Sequence, residues 1–210
     1  MPSLAMPVWT KHIAGEVKKI SPEAPVPVVE VTGESSEGLS CNVAANVVSL
    51  KADGTYCVVG KDRASDQVSS LLQEQGVSAQ RLIVDQGRPT TRKTRIMAEH
   101  QQVVSAVDHE KKQFIDATLE DKVLQQLEAV LDDCQGVILE DYAKGVLSHR
   151  VCQEVIQLAR RQGKPVLVDP SRTTPLSFYK GAQLIKPNRD EAVLLSGFPS
   201  DEIHRSEKFY

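Results

Sequence analysis

Aromatic side chains are scarce in this 210-residue chain, where one Trp, four Tyr and four Phe make up 4% of the residues. The core that such a length allows must then be built from Val, Leu, Ile and Ala, as suits helices covering a parallel sheet. Cysteine is equally thin. Cys41, Cys57, Cys134 and Cys152 form no CxxC pair and have no histidine at metal-ligand spacing, which excludes a zinc site and a disulfide framework. They read as reduced thiols, mostly in the core of a cytoplasmic protein. No run of about 18 apolar residues occurs, and the N-terminus has no apolar stretch behind a basic head, so neither membrane spanning nor export is expected. With 25 Lys and Arg against 28 Asp and Glu, the net charge of -3 leaves no basic excess to attract nucleic acid or anionic lipid. Partners are expected among small molecules and proteins. No Gly-x-Gly-x-x-Gly follows a strand, which excludes a dinucleotide-binding turn.

What is present is an alternation of strand and helix patterns. The three prolines of Ile20-Ser-Pro-Glu-Ala-Pro-Val-Pro-Val-Val-Glu-Val31 exclude helix and predict a strand entering from a loop. A Gly/Ser-rich loop is expected over Gly33 to Ser40, then a buried helix over Cys41 to Leu50 capped by Ser40. Strands are predicted at Thr55–Val59, Arg81–Val84, Thr90–Ala98, Gly136–Leu139, Pro165–Val168 and Ala182–Ile185. Helices are predicted at Asp62–Gln75, closed by Gly76, at Thr118–Leu131, at Ser148–Gln162 and from Pro187 onward. This rhythm implies an α/β fold with a mostly parallel sheet and helices on both faces. The segments Val26–Val31 and Arg92–Met97 stand outside it and are expected to pair as a small side sheet or lid. One domain spanning residues 1–210 is expected, with lid segments near 20–32 and 90–108.

In an open parallel sheet, ligands bind beyond the carboxyl ends of the strands. Four such places carry polar groups: Glu140, Asp141 and Lys144; Asp169; Asn188 and Glu191 at a helix start; and the loop from Gly38 to Asn42. Acidic groups beside a helix N-terminus can organise a magnesium-bound phosphate through water, which points to phosphoryl transfer. Each place has a plainer reading as well. Asp169-Pro170 is a turn or cap, Asn188 with Glu191 a capping pair, and Glu140-Asp141 a solvated loop corner.

Together and in this order, ISPEAPVPVVEV from Ile20, NVAANVVSL from Asn42, EDYAKGVL from Glu140, VLVDPS from Val166 and LIKPNRDEA from Leu184 resemble the ribokinase (PfkB-type) carbohydrate kinase family. Within it they are most similar to the kinase domain of the heptose-phosphate kinase/adenylyltransferases of lipopolysaccharide precursor synthesis. The similarity runs from about Gly15 to Gly197, and the first motif is its most specific part. The resemblance implies a ribokinase-like sheet with a small β lid, incomplete at the C-terminus. It implies ATP-dependent phosphorylation of heptose 7-phosphate at C1, with Mg2+ and ATP as cofactors. Gly38 and Asn42 fall on the sugar loop, while Lys93 and Arg95 on the charged lid strand become candidates for the sugar's phosphate, a task suited to charge-assisted donors. Glu140, Asp141, Lys144 and Asp169 are carried as substrate-binding positions, and Asn188 and Glu191 match the family's magnesium-associated Asn-x-x-Glu. A homodimer through the lid, or a complementing kinase chain, is the implied protein partner.

The departures from the family pattern are specific. The stretch Ala5 to Thr10 has no carboxylate where the family holds sugar hydroxyls, and Leu39 replaces a loop glycine. No counterpart of the Gly-Ala-Gly-Asp signature, with its anion-holding helix start and catalytic base, occurs in these residues, so no catalytic residue is assigned. The sequence therefore predicts a kinase homologue inactive alone. The alternative is a non-catalytic remnant that binds a sugar phosphate or a full-length kinase partner.

Overall fold

The computed structural model describes residues 3–5, 8–38, 55–74, 76, 82–98 and 102–197. In chain order the elements are β1 (Ser3–Ala5), β2 (Trp9–Ile20), β3 (Pro27–Gly38), β4 (Thr55–Gly60), α1 (Arg63–Glu74), β5 (Leu82–Asp85), β6 (Arg92–Ala98) and β7 (Gln102–His109). There follow α2 (Ala117–Leu131), β8 (Val137–Glu140), α3 (His149–Arg161), β9 (Val166–Asp169), a short 3-10 helix (Leu176–Tyr179), β10 (Leu184–Ile185) and α4 (Arg189–Ser196). The described residues group into two compact units, one within Met1–Met6, Ala52–Tyr56 and Lys112–Tyr210, the other within Pro7–Lys51 and Cys57–Lys111.

The first unit is built on parallel strands in the order β10-β9-β8-β1. Val137 and Leu139 of β8 and Val166 and Val168 of β9 are buried, and α2 and α3 pack on one another. Each helix buries one stripe: Leu119, Val123, Leu127 and Leu131 on α2, and Val151, Cys152, Val155, Ile156 and Ala159 on α3. Their starts are capped. Asp116 accepts from the Leu119 amide at 2.9 Å and Ser148 from the Val151 amide at 3.1 Å, satisfying amides that lack a partner within the helix. These caps position the loops that run from each strand into the next helix.

The second unit contains the parallel pair β4–β5 with α1, whose Ala64, Val68 and Leu72 pack with Val59 and Trp9. It also contains a four-stranded sheet in the order β3-β2-β6-β7. β2 runs antiparallel to β3 and parallel to β6, the latter only from Trp9 to Ala14. Beyond that point, Gly15–Ile20 pairs with β3 alone and forms a two-stranded ribbon. The connection into β6 is firmly tied. Arg88 pairs with Asp85 at 2.6 Å, the Thr90 amide donates to Asp62 at 2.9 Å, and the Trp9 amide donates to the Thr91 carbonyl at 3.0 Å.

Three sequence expectations change. Gly33 to Gly38 belongs to β3 rather than to a loop, because Trp9 to Ala14 of β2 pairs with it residue for residue. The Pro-rich and charged segments share one sheet, but β2 lies between them, so they do not pair directly. The last helix begins from Asn188 as its cap, with Pro187 before it. Leu39, Ser40, Asn42 and the expected helix over Cys41–Leu50 lie outside the described residues.

Candidate functional site

The loops leaving β8 and β9, with the start of α4, surround a pocket of about 600 Å³ in the first unit. Lys112, Lys144 and Arg172 line it together with Asp141 and Glu191, while Ser171, Thr173 and Thr174 add hydroxyls. Phe114 and Phe178, with ring centroids 6.2 Å apart, make an apolar side.

The loop after β8 is held in an unusual shape. The Asp141 amide donates to the Asp169 carbonyl at 2.9 Å, continuing the ladder that sets Glu140 opposite Asp169. One Asp141 oxygen, Oδ1, accepts from the Ala143 amide at 2.7 Å, supporting Ala143 at a φ of 53°, where non-glycine residues are uncommon. Gly145 follows at a φ of 93°, and its carbonyl accepts from the Ile115 amide at 2.9 Å. A Cβ on Gly145 would overlap the Gln113 carbonyl oxygen, so only glycine fits.

The second oxygen of Asp141 reaches across to the loop after β9. Thr174 and Tyr179 both donate their hydroxyl protons to Oδ2, each at 2.6 Å. Tyr179 is 1% exposed, and burial, then the Asp141 carboxylate, pushes its hydroxyl well above the usual phenol range. Burial, then the charge of Asp141, also raises the Cys152 thiol to about 12, which leaves it protonated and unreactive at neutral pH. Arg172 ties this loop to α4 through Asp190 at 2.9 Å.

Asn188 and Glu191 form a complete capping box. The Asn188 side chain accepts from the Glu191 amide at 2.9 Å, and Glu191 Oε2 accepts from the Asn188 amide at 2.8 Å. Glu191 also lines the pocket. Among the described residues no group of three or more His, Cys, Asp or Glu could enclose a metal ion.

The structure therefore brings Asp141, Lys144 and Glu191 to one pocket, with Asn188 at its helix start. Glu140 is 2% exposed at the end of β8, while Asp169 meets Lys186 at 3.6 Å on the surface. In the second unit Lys93 and Arg95 share one face of β6, and Arg95 pairs with Asp108 of β7 at 2.6 Å. Beside Lys93 in the ladder stands Thr10, buried and with a hydroxyl that has no hydrogen-bond partner. Gly38 is the last residue of β3, and Asn42 lies outside the described residues. Sequence reasoning missed Lys112, Arg172, Thr174 and Tyr179. The rule that pointed to the residues after each strand, carried further along the loop after Asp169, reaches Arg172 and Thr174.

The Bifunctional protein HldE of Wolinella succinogenes is 45% identical over 188 residues, and that of Helicobacter hepaticus is 42% identical over 188 residues. Both matches cover 89% of this chain and 39% of the relative, so the chain spans about two-fifths of the length of these curated proteins. Among solved structures, Sa239 matches with a TM-score of 0.74, and Arabidopsis thaliana ribokinase complexed with ribose and ATP with 0.72. Each is 14% identical, with 98% of this chain and 66% of the solved chain covered, a likeness that shows the ribokinase-like α/β fold. The pfkB family carbohydrate kinase profile matches residues 16–209, and the chain belongs to that family.

Proposed function

We propose that the pocket after β8 and β9 receives the phosphates of magnesium ATP, and that the chain is a kinase domain for phosphorylation of heptose 7-phosphate at C1 on the route to ADP-heptose. The observation that carries this reading is the convergence of Lys112, Lys144 and Arg172 with Glu191 at the carboxyl ends of parallel strands. Cations there suit phosphate oxygens as charge-assisted donors. The oxygen-only donor set fits magnesium, an ion that keeps much of its water and takes its other ligands from the nucleotide. Glu191, whose Oε1 lies outside the capping box, would hold it through water, and Asn188 would keep Glu191 in place. When bound, the ion neutralises charge on the phosphates. The heptose assignment rests on the Ile20–Val31 motif and on Lys93 and Arg95, set side by side on β6.

Titration calorimetry of the chain with magnesium ATP and, separately, with heptose 7-phosphate tests this, alongside a coupled assay for ADP. Binding of magnesium ATP, with or without heptose 7-phosphate and without turnover, is the expected result. Failure of both to bind would sink the kinase-site reading, and measurable turnover would sink the part that makes the chain inactive alone. A second reading, a sugar-phosphate binder without catalysis, is favoured by Thr10, which offers an unpartnered hydroxyl in a stretch where the family carries a carboxylate. Binding of heptose 7-phosphate with no nucleotide binding would select it. We further propose a homodimer through the lid. Ile20 and Val31 are 60% and 56% exposed on the two-stranded ribbon, an apolar surface a second copy would cover. A strictly monomeric mass by light scattering would remove the dimer.

A further inference from the structure

Asp141 stands out as a pocket-lining carboxylate with both oxygens already used inside the protein. Oδ1 accepts from Ala143 in its own loop, and Oδ2 accepts from Thr174 and Tyr179, 33 and 38 residues further along. The partners are tightly placed, at 2.7 Å for the amide and 2.6 Å for each hydroxyl, lengths typical of hydrogen bonds to a charged acceptor. Tyr179 is fixed in turn. Its ring is buried, and its oxygen lies 3.4 Å from the Ser171 amide. These three bonds take up three of the roughly four acceptor sites of the carboxylate.

We propose that Asp141, Thr174 and Tyr179 form a latch that locks the two pocket loops to one another, with Asp141 acting as a positioning residue. Through the Ala143 amide the carboxylate holds the left-handed turn that precedes Lys144 and Gly145. Through Thr174 it holds the loop that carries Ser171, Arg172 and Thr173. Lys144 and Arg172 are thereby presented from two loops whose spacing one side chain sets. The functional meaning rests on the pocket being a ligand site, but the latch itself exists in the free chain and is tested there.

The test is amide hydrogen exchange on the free protein and its Thr174→Val, Thr174→Ser and Tyr179→Phe variants. Thr174→Val should speed exchange at least tenfold in residues 171–174 and also in residues 142–146, while the amides of α3 stay as protected as in the wild type. The response of 142–146 is the decisive readout, because losing a bond confined to the second loop would not reach the first. Thr174→Ser keeps the hydroxyl and should restore both loops. Tyr179→Phe should act as Thr174→Val does. Should that variant fail to fold, Thr174→Val still decides, since Thr174 is only half-buried. Unchanged exchange in 142–146, uniform acceleration that includes α3, or no rescue by serine would each overturn the latch. If the loops respond as expected while neither magnesium ATP nor heptose 7-phosphate binds, the latch stands and the kinase-site reading falls.

Discussion

The two units hold their candidate functional residues in different ways. In the first, the pocket loops are pinned by buried or half-buried groups acting across long sequence separations, as at Asp141, Thr174 and Tyr179. In the second, the charges of the four-stranded sheet pair near its surface: Lys11 with Glu34, Lys18 with Glu16 and Glu30, and Arg95 with Asp108. Hydrogen bonds in a water-poor setting are strong and costly to break, whereas exposed ion pairs are worth little. The first unit should therefore have one shape for its pocket, while charges on the four-stranded sheet can exchange partners at small cost.

Glycine gives the sharpest way to break the comparison. Gly145→Ala puts a Cβ onto the Gln113 carbonyl at a positive φ, and a destabilisation of about 3 kcal/mol or more is expected. For a chain of this size that corresponds to a fall in melting temperature of roughly 6–12 °C. Gly33→Ala in β3 meets nothing within 4 Å, and its effect should lie within about 0.5 kcal/mol. Thermal melts followed by circular dichroism compare the two. Equal melting of Gly145→Ala and wild type would show that the loop after β8 is looser than its contacts imply.

The pH dependence should separate the units at a smaller scale. Cys152 and Tyr179 both have raised folded-state values, against 9.0 and 10.0 for the free groups. The stability they confer is complete below the free values and is lost as pH rises toward about 12 for Cys152, because the unfolded chain ionises first. Each such group contributes a slope of about 1.4 kcal/mol per pH unit where only the unfolded form has ionised. In the second unit, burial alone would raise Asp62 and Asp85, but hydrogen bonds from Thr90 and Ser65 in one case, and from Gly87 and Arg88 in the other, outweigh it and leave both lowered. Their contribution is complete above about pH 4 and is lost on further acidification. Urea titrations between pH 3 and 11 check this, with fluorescence of Trp9 reporting on the second unit. Cys152→Ala should flatten the alkaline limb and leave the acid limb alone. An unchanged alkaline slope would remove Cys152 from the account.

What could be read in the sequence follows the same division. The alternating elements of the first unit announce themselves through apolar periodicity, through Ser148 as a cap and through Gly163 as a stop. Asn188-x-x-Glu191 was legible as a capping pair, and the structure forms that box. β2 was missed because Lys11, His12, Glu16, Lys18 and Lys19 interrupt any clean alternation in a strand whose outer half is solvated on both faces. The Gly/Ser-rich end of β3 reads as a loop by composition and becomes strand only because β2 lies beside it. The Asp141 latch has no local signature at all. Its members come together only when the 3-10 helix folds back beneath β8's loop, a placement that no spacing in the chain encodes.

The smallest expected effect tests the four-stranded sheet. Arg95 and Asp108 are 23% and 38% exposed, so a double-mutant cycle on Arg95→Ala and Asp108→Ala should return a coupling of about 0.2–1 kcal/mol. That low value is what lets Arg95 change partners. If a sugar phosphate competes with Asp108 for the guanidinium, Asp108→Asn removes the competitor and should tighten heptose 7-phosphate binding by roughly two- to fivefold at low ionic strength, with the gain shrinking as salt is raised. Arg95→Ala should weaken the same binding. If Asp108→Asn weakens binding instead, the pair serves to aim Arg95 at the ligand. The four-stranded sheet would then hold its charge as firmly as the first unit holds Asp141, and the contrast between the two units would fail where it was expected to be clearest.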